Sequence, residues 1–313
     1  MTSDPTVVFM GTPDFAVPTL QALHRSVFDL RLVVTQPDRP RGRGRKLSAP
    51  PVKRAAGQLE YPIVQPRDIR EADFIDRLRT IAPDFLVVVA FGQILPRTIL
   101  SLPKRGPINV HASLLPRYRG PAPIQWAIMR GEKTTGITTI LMDHGVDTGD
   151  ILLTAETPLS PSDTAATVHD RLADMGADLL VRTLIGLGDG SIRPRAQNHA
   201  QATYAPMLTK ASGRIDWMQP ANAIDAMIRA VTPWPGAFCQ YGGHRLKIHK
   251  ARAIAQTVDV PPGTVVPGFP DELRIAAAEG VLLVIEIQSA SGKRLPIRHF
   301  LHGSPMPPGT LIG

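Results

Sequence analysis

With one cysteine, Cys239, the 313-residue chain can form neither an intrachain disulfide nor a thiolate metal cluster, a usage that fits a reducing compartment. Its most continuous apolar run, residues 85–91, is far shorter than the roughly 18 to 20 residues that span a bilayer. Residues 1–10 show no basic n-region and no long apolar stretch, so no targeting segment is read there. A soluble, cytoplasmic protein with no membrane partner is expected. The histidines form no H-E-x-x-H or similar ligand spacing, and no metal is expected. The G-x-G-x-x-G fingerprint is also missing. Its place is taken by Gly11-Thr12-Pro13-Asp14-Phe15, which lacks the glycines that cradle a pyrophosphate and so argues against a nicotinamide dinucleotide.

Proline and arginine are what the chain has in excess. Its 31 prolines are about twice the usual share, which implies many fixed turns and ordered loops. The net charge is +8, and residues 38–54 hold Arg39, Arg41, Arg43, Arg45, Lys46, Lys53 and Arg54 against Asp38 alone. A second excess lies in residues 206–313, with 11 basic and 7 acidic groups. Two positive regions on an otherwise balanced chain form an electrostatic footprint for a polyanion.

A length of 313 residues suggests two domains. Apolar residues 6–10 precede a turn and a helical pattern, 30–35 read as the next strand, and the run 85–91 has the character of a buried parallel strand. Strands at 107–112, 137–142 and 151–154 and an amphipathic helix over 164–187 complete the alternation. The prediction is an α/β fold, a doubly wound and mostly parallel open sheet of Rossmann-like type, over residues 1–189. Residues 190–206 are polar and weakly periodic and read as a linker. After one helix at 221–231, short strands separated by Gly and Pro turns predict a smaller, OB-like β-barrel over 207–313.

The chemistry concentrates after the strand at 107–112. Asn109 and His111 are spaced i, i+2, which puts both side chains on one side of that strand. A carboxamide donor beside an imidazole suits a reaction that develops an oxyanion and moves a proton at neutral pH. A loop stiffened by proline and glycine follows over 113–123, in the position where such sheets build binding sites. Further on, Asp143, Asp147 and Asp150 lie in or beside a Gly-flanked turn, and spacing alone does not say which carboxylate orients His111.

Asn109-Val110-His111, the segment from Ser113 to Gly120 and Asp147-Thr148-Gly149-Asp150, at this spacing, resemble the folate-dependent formyltransferase family. Thr35-Gln36-Pro37-Asp38-Arg39-Pro40, Ile215-Asp216-Trp217 and Pro233-Trp234-Pro235-Gly236 extend the resemblance over essentially the whole chain. It implies transfer of a formyl group from 10-formyltetrahydrofolate as co-substrate, with methionyl initiator tRNA as the acceptor and no metal. The family's catalytic triad falls on Asn109, His111 and Asp147, and its folate-contact segment on Ser113, Leu114, Leu115 and Pro116, with Phe91 and Ile94 added as an apolar wall. The Arg/Gly stretch becomes an RNA-facing arm of Arg39, Arg41, Arg43, Arg45 and Lys46, and Lys210 matches a lysine near the tRNA end. Family members commonly carry lysine and glutamate where this chain has Met207 and Ala211. A monomer is expected.

Two other readings compete. A small amine could accept the formyl group, but it needs neither the arginine arm nor a basic second domain. A non-catalytic RNA-binding protein on the same fold would be indifferent to His111→Ala or Asn109→Ala.

Overall fold

The structure is a computed structural model that describes residues 4–41 and 46–313. Arg43 and Arg45 lie outside the described residues, and Arg41 and Lys46 are described through their backbone alone. In chain order the strands and helices are β1 (Thr6–Gly11), α1 (Val17–His24), β2 (Asp29–Val34), β3 (Arg39–Arg41), β4 (Lys46–Ser48), α2 (Pro51–Gln58), β5 (Ile63–Val64), α3 (Ala72–Ile81), β6 (Phe85–Val89), α4 (Arg97–Leu100), β7 (Gly106–His111), α5 (Pro123–Met129), β8 (Thr134–Leu141), β9 (Asp150–Pro158), α6 (Ala165–Asp189), α7 (Ala221–Ala230), β10 (Ala237–Tyr241), β11 (His244–Ile254), β12 (Val265–Val266), β13 (Leu273–Ala276), β14 (Val281–Gln288), β15 (Leu295–Pro296) and α8 (Ile297–Gly303). Part of the proline excess has a plain use: α1, α2 and α5 each carry a proline in their first two positions. There the missing N–H would have had no helical partner.

The chain divides into two compact units. The first comprises residues 1–120, 134–157 and 169–205. Its seven-stranded sheet runs β5-β2-β1-β6-β7-β8-β9. β2 pairs parallel with β5 and β1, β1 with β6, and β6 with β7, while β7 and β8 are antiparallel. β6 is buried at all five positions, as a central parallel strand covered on both faces must be. The doubly wound, mostly parallel sheet expected from the sequence is therefore present. The strand order reverses on either side of β1, and ligands of such sheets sit beyond the carboxyl ends at that switch. There, Thr12, Pro13, Gln36, Pro37, Ala90, Phe91 and Gly92 help to line a cleft of about 440 Å³.

The second unit comprises residues 121–133, 158–168 and 206–313. Its antiparallel sheet follows the path β10-β11-β14-β13-β12, with β15 on β14. Trp217, Ile224, Ile228, Leu246, Ile248, Leu273, Ile275, Leu282, Val284 and Ile287 form much of its core. Residues 310–313 link the two ends of that path: Val265 donates its N–H to Thr310 O at 2.8 Å, Ile312 donates to Gly263 O at 2.9 Å, and Gly313 donates to Gln240 O at 2.9 Å. The small β-rich unit is thus a curled antiparallel sheet whose edges are stitched by the last residues.

Of residues 190–206, which the sequence reads as a linker, Arg195 and Tyr204 form isolated bridges within the first unit. Ile151 bridges Arg195, and Arg119 bridges Tyr204.

Candidate active site

β7 delivers the first two side chains. Val88 on β6 lies opposite Asn109, and on the other side Thr138 on β8 lies opposite His111, so both registers are fixed. Beyond His111 the chain turns through a loop pinned from β8: Thr138 donates its hydroxyl to Ser113 O at 2.7 Å, and Leu115 donates its N–H to Thr138 Oγ1 at 3.1 Å. Ser113 is fully buried and gives its hydroxyl to Arg117 O at 2.6 Å, so its side chain shapes the loop from inside. Leu115 is buried as well, whereas Leu114 and Pro116 are half-buried.

Asp143 and Asp147 have different partners. Asp143 is spent on its own turn, accepting from Gly145 N at 3.0 Å and Thr148 Oγ1 at 2.6 Å. Asp147 reaches the strand end. Its Oδ1 lies 3.5 Å from Asn109 Nδ2 and 3.5 Å from His111 Nδ1. Its Oδ2 accepts the Gly120 N–H at 2.8 Å. Asn109, His111 and Asp147, which are 38 residues apart at the widest, therefore converge on one carboxylate oxygen.

The imidazole is further constrained. His111 is 6% exposed, and its Nε2 lies 3.0 Å from Tyr118 O. A carbonyl can only accept, so Nε2 carries the hydrogen of that bond and Nδ1 is the nitrogen that faces Asp147. Two backbones here take the left-handed region, Tyr118 at φ 61° and Asp147 at φ 54°. Each such residue costs on the order of 1–3 kcal/mol and persists only because neighbouring bonds over-determine it.

The remaining sequence-predicted residues are placed as follows. Phe91 is 2% exposed, packed among Leu32, Val34, Ile69 and Leu86, and lines the cleft at the switch point. Ile94 is 79% exposed. Arg39 is exposed and donates from Nη2 to Gln36 Oε1 at 3.1 Å. Lys53 pairs with Asp38 at 2.8 Å, and that hydrogen bond, with another from Gln65, holds the Asp38 carboxyl below its usual range. Lys210 is exposed at the start of a short 3-10 turn, 210–213. Cys239 is buried, and burial pushes its thiol up to about 12, which makes it inert as a nucleophile at neutral pH.

Sequence reasoning passed over one residue of the site. Gln197 lies in the stretch read as a linker, is 5% exposed, and donates from Nε2 to Asp147 O at 2.9 Å and Gly149 O at 2.7 Å. No periodicity or motif marks it. Among the described residues no group of three His, Cys, Asp or Glu side chains could hold a metal ion, and no helix is long and apolar enough to cross a membrane.

A donor amide, an imidazole and a carboxylate gathered at the carboxyl end of β7 can stabilise an oxyanion and exchange a proton without a protein nucleophile. Comparison with known proteins agrees with that chemistry. Residues 6–184 match the formyl transferase model and residues 207–305 its C-terminal domain. The chain belongs to the formyl transferase family. It is 49% identical over 311 residues to a methionyl-tRNA formyltransferase of Pelobacter propionicus, covering 99% of this chain and 97% of that protein. A methionyl-tRNA formyltransferase of Caldanaerobacter subterraneus is 47% identical, covering 98% and 99%. Among solved structures, an N-formyltransferase of Helicobacter canadensis in complex with folinic acid and dTDP-3-aminofucose superposes with a TM-score of 0.67 at 16% identity, covering 93% of this chain and 100% of that one. HypX of Aquifex aeolicus in complex with tetrahydrofolic acid gives a TM-score of 0.60 at 16% identity, covering 96% of this chain and 47% of that longer one. At such identities these structures speak for the formyl transferase fold.

Proposed function

We propose that this chain transfers a formyl group from 10-formyltetrahydrofolate to the α-amino group of methionyl initiator tRNA, giving N-formylmethionyl-tRNA for translation initiation. The observation that carries the proposal is the near-full-length likeness, 49% over 99% of the chain, to a methionyl-tRNA formyltransferase. The site geometry supplies the chemistry.

The acceptor amine attacks the formyl carbon, forming a C–N bond and a tetrahedral oxyanion. The bond from that carbon to the folate N10 then breaks, and the proton lost by the attacking nitrogen is delivered to N10. Asn109 Nδ2 has two hydrogens. One is directed toward Asp147, and the other is available to the oxyanion. His111 exchanges the proton at Nδ1, because Nε2 is engaged by the Tyr118 carbonyl. Asp147 opposite Nδ1 steadies the imidazolium that results. Folate is a co-substrate that arrives carrying the formyl group. Leu114, Leu115 and Pro116 present the surface against which it lies, Ser113 shapes that surface, and Phe91 and Ile94 extend the apolar wall. No metal takes part.

The tRNA is bound electrostatically. The arm of Arg39, Arg41, Arg43, Arg45 and Lys46 orders against phosphates near the acceptor end, and Lys210 contacts the same region. The first unit, with residues 190–205 built into it, acts as the catalytic part and the second unit as the tRNA-binding part, in a cytoplasmic monomer. The test is one assay with labelled formyl donor and, in parallel, methionine-charged initiator tRNA, uncharged tRNA and small amines. Label in the charged tRNA alone is expected, and label in a small amine instead would overturn the assignment.

A further inference from the structure

We infer that Gln197, gripped by the buried guanidinium of Arg119, is a positioning residue for Asp147, an inference that rests on the catalytic reading above. Asp147 holds a left-handed φ of 54°, a conformation that an L-residue keeps only under external constraint. The constraint is visible. Gln197 Nε2 donates to the carbonyl of Asp147 at 2.9 Å and to that of Gly149 at 2.7 Å, so one amide group clamps both sides of the bend. Its Oε1 accepts from Arg119 Nη2 at 2.6 Å and Nε at 3.2 Å.

Which way the Gln197 amide points is settled by its partners. Carbonyls only accept and a guanidinium only donates, so the one orientation that satisfies all four contacts puts Nε2 toward the turn and Oε1 toward Arg119. Arg119 is 3% exposed, and among the described residues its guanidinium meets the Gln197 amide and, at 3.1 Å, His199 Nδ1. The cation therefore works here as a rigid fork that fixes the amide. Its backbone is held in turn, with the Arg119 N–H on Thr203 O at 2.8 Å and the Ala205 N–H on Arg119 O at 2.7 Å.

The residues on either side of Arg119 complete a ring. Tyr118 O takes His111 Nε2, and Gly120 N–H holds Asp147 Oδ2. Residues 118–120 thus touch both members of the proton-exchanging pair through the backbone, and Arg119 reaches the back of Asp147 through Gln197. Displacing that back moves the carboxylate relative to Nδ1. A misplacement of about 1 Å in such a constellation costs on the order of 100-fold in rate.

Gln197→Glu separates positioning from mere support. It keeps the length and offers Arg119 a carboxylate, so the strap stays anchored, yet it sets an oxygen where the amide donated to two carbonyls. The expected result is a kcat lower by roughly 10- to 100-fold, with KM for both substrates close to that of the unaltered chain and a single cooperative unfolding transition at a lowered midpoint. In an Asp147→Asn background the same change is expected to cause no further loss, because residues acting as one unit are not additive. An undiminished kcat, or losses that multiply in the double variant, would overturn the inference. Should Gln197→Glu not fold, Gln197→Met, which removes the donor at similar volume, takes its place under the same criteria. A readout independent of turnover is the NMR signal of the His111 imidazole in the substrate-free protein. It is expected to move in Gln197→Glu, and an unmoved signal counts against positioning. If the unaltered chain failed to formylate methionyl initiator tRNA, the functional reading would fall while this arm still decided the structural one.

Discussion

Gly120 gives its main-chain N–H to the Asp147 carboxylate at 2.8 Å, from a backbone at φ +117°. A side chain is disfavoured there twice over, since a Cβ would stand 2.8 Å from Ala205 O in a conformation L-residues rarely adopt. Gly120→Ala is therefore expected to lower kcat by at least about tenfold and to destabilise the fold by roughly 1–3 kcal/mol. Steady-state kinetics and chemical denaturation on the same preparation check both. Normal values of each would mean that the carboxylate does not depend on this donor.

Asn109→Ala is expected to slow turnover by about 10²–10³-fold, the usual effect of removing one oxyanion donor, with tRNA affinity unchanged. Single-turnover rates with saturating folate make the comparison. A near-normal rate would reassign oxyanion stabilisation to another group.

Arg43→Ala is expected to weaken use of charged initiator tRNA and to flatten the salt dependence of its binding by about one phosphate contact, with folate binding left intact. Binding isotherms at several salt concentrations test this. Parallel loss of folate binding would refute the role given to the arm.

Cys239 offers a prediction in pH. Its thiol rises from 9.0 to about 12 on folding because burial penalises the thiolate. The folded state therefore holds its proton where the unfolded chain releases it. This contribution to stability is complete below about pH 9 and declines as pH rises toward about 12. Replacing Cys239 by Ala should make the denaturation free energy fall less steeply across that window. At neutral pH iodoacetamide should label Cys239 only after unfolding, and rapid labelling of the native chain would contradict the burial.

Ile312 is 1% exposed and belongs to the second unit's core, on the segment that stitches its sheet edges. Ile312→Ala is expected to cost about 2–5 kcal/mol, the range for truncating a buried aliphatic side chain, measured by urea titration. A loss below about 0.5 kcal/mol, the level of an ordinary surface change, would show that the stitch is dispensable.

Legibility from sequence followed the range of the forces involved. Local period gave β10 at its observed limits, Ala237–Tyr241, and β6 through its unbroken apolar run. Period 2 also put Asn109 and His111 on one side of β7. The short helices α2 and α8 have no counterpart in the sequence reading; at eight and seven residues they are too short to display a helical period. Asp147 could not be told from Asp143 and Asp150 by spacing, since the choice depends on a left-handed backbone at Asp147. Gln197 left no local trace because its partners lie 48 to 78 residues away.

The chain passes into the second unit directly after Gly120 and comes back at Thr134, carrying α5 with it. That helix buries Ile124, Ala127 and Ile128 and packs on α7, which lies a hundred residues downstream. A fragment cut at residue 189 would hold His111, residues 118–120 and Asp147 without Gln197, and would strand α5 without its neighbour. Dissecting this protein by its linear boundaries therefore divides two folding units that the polypeptide interleaves, and swapping the tail half between relatives requires exchanging α5 with it.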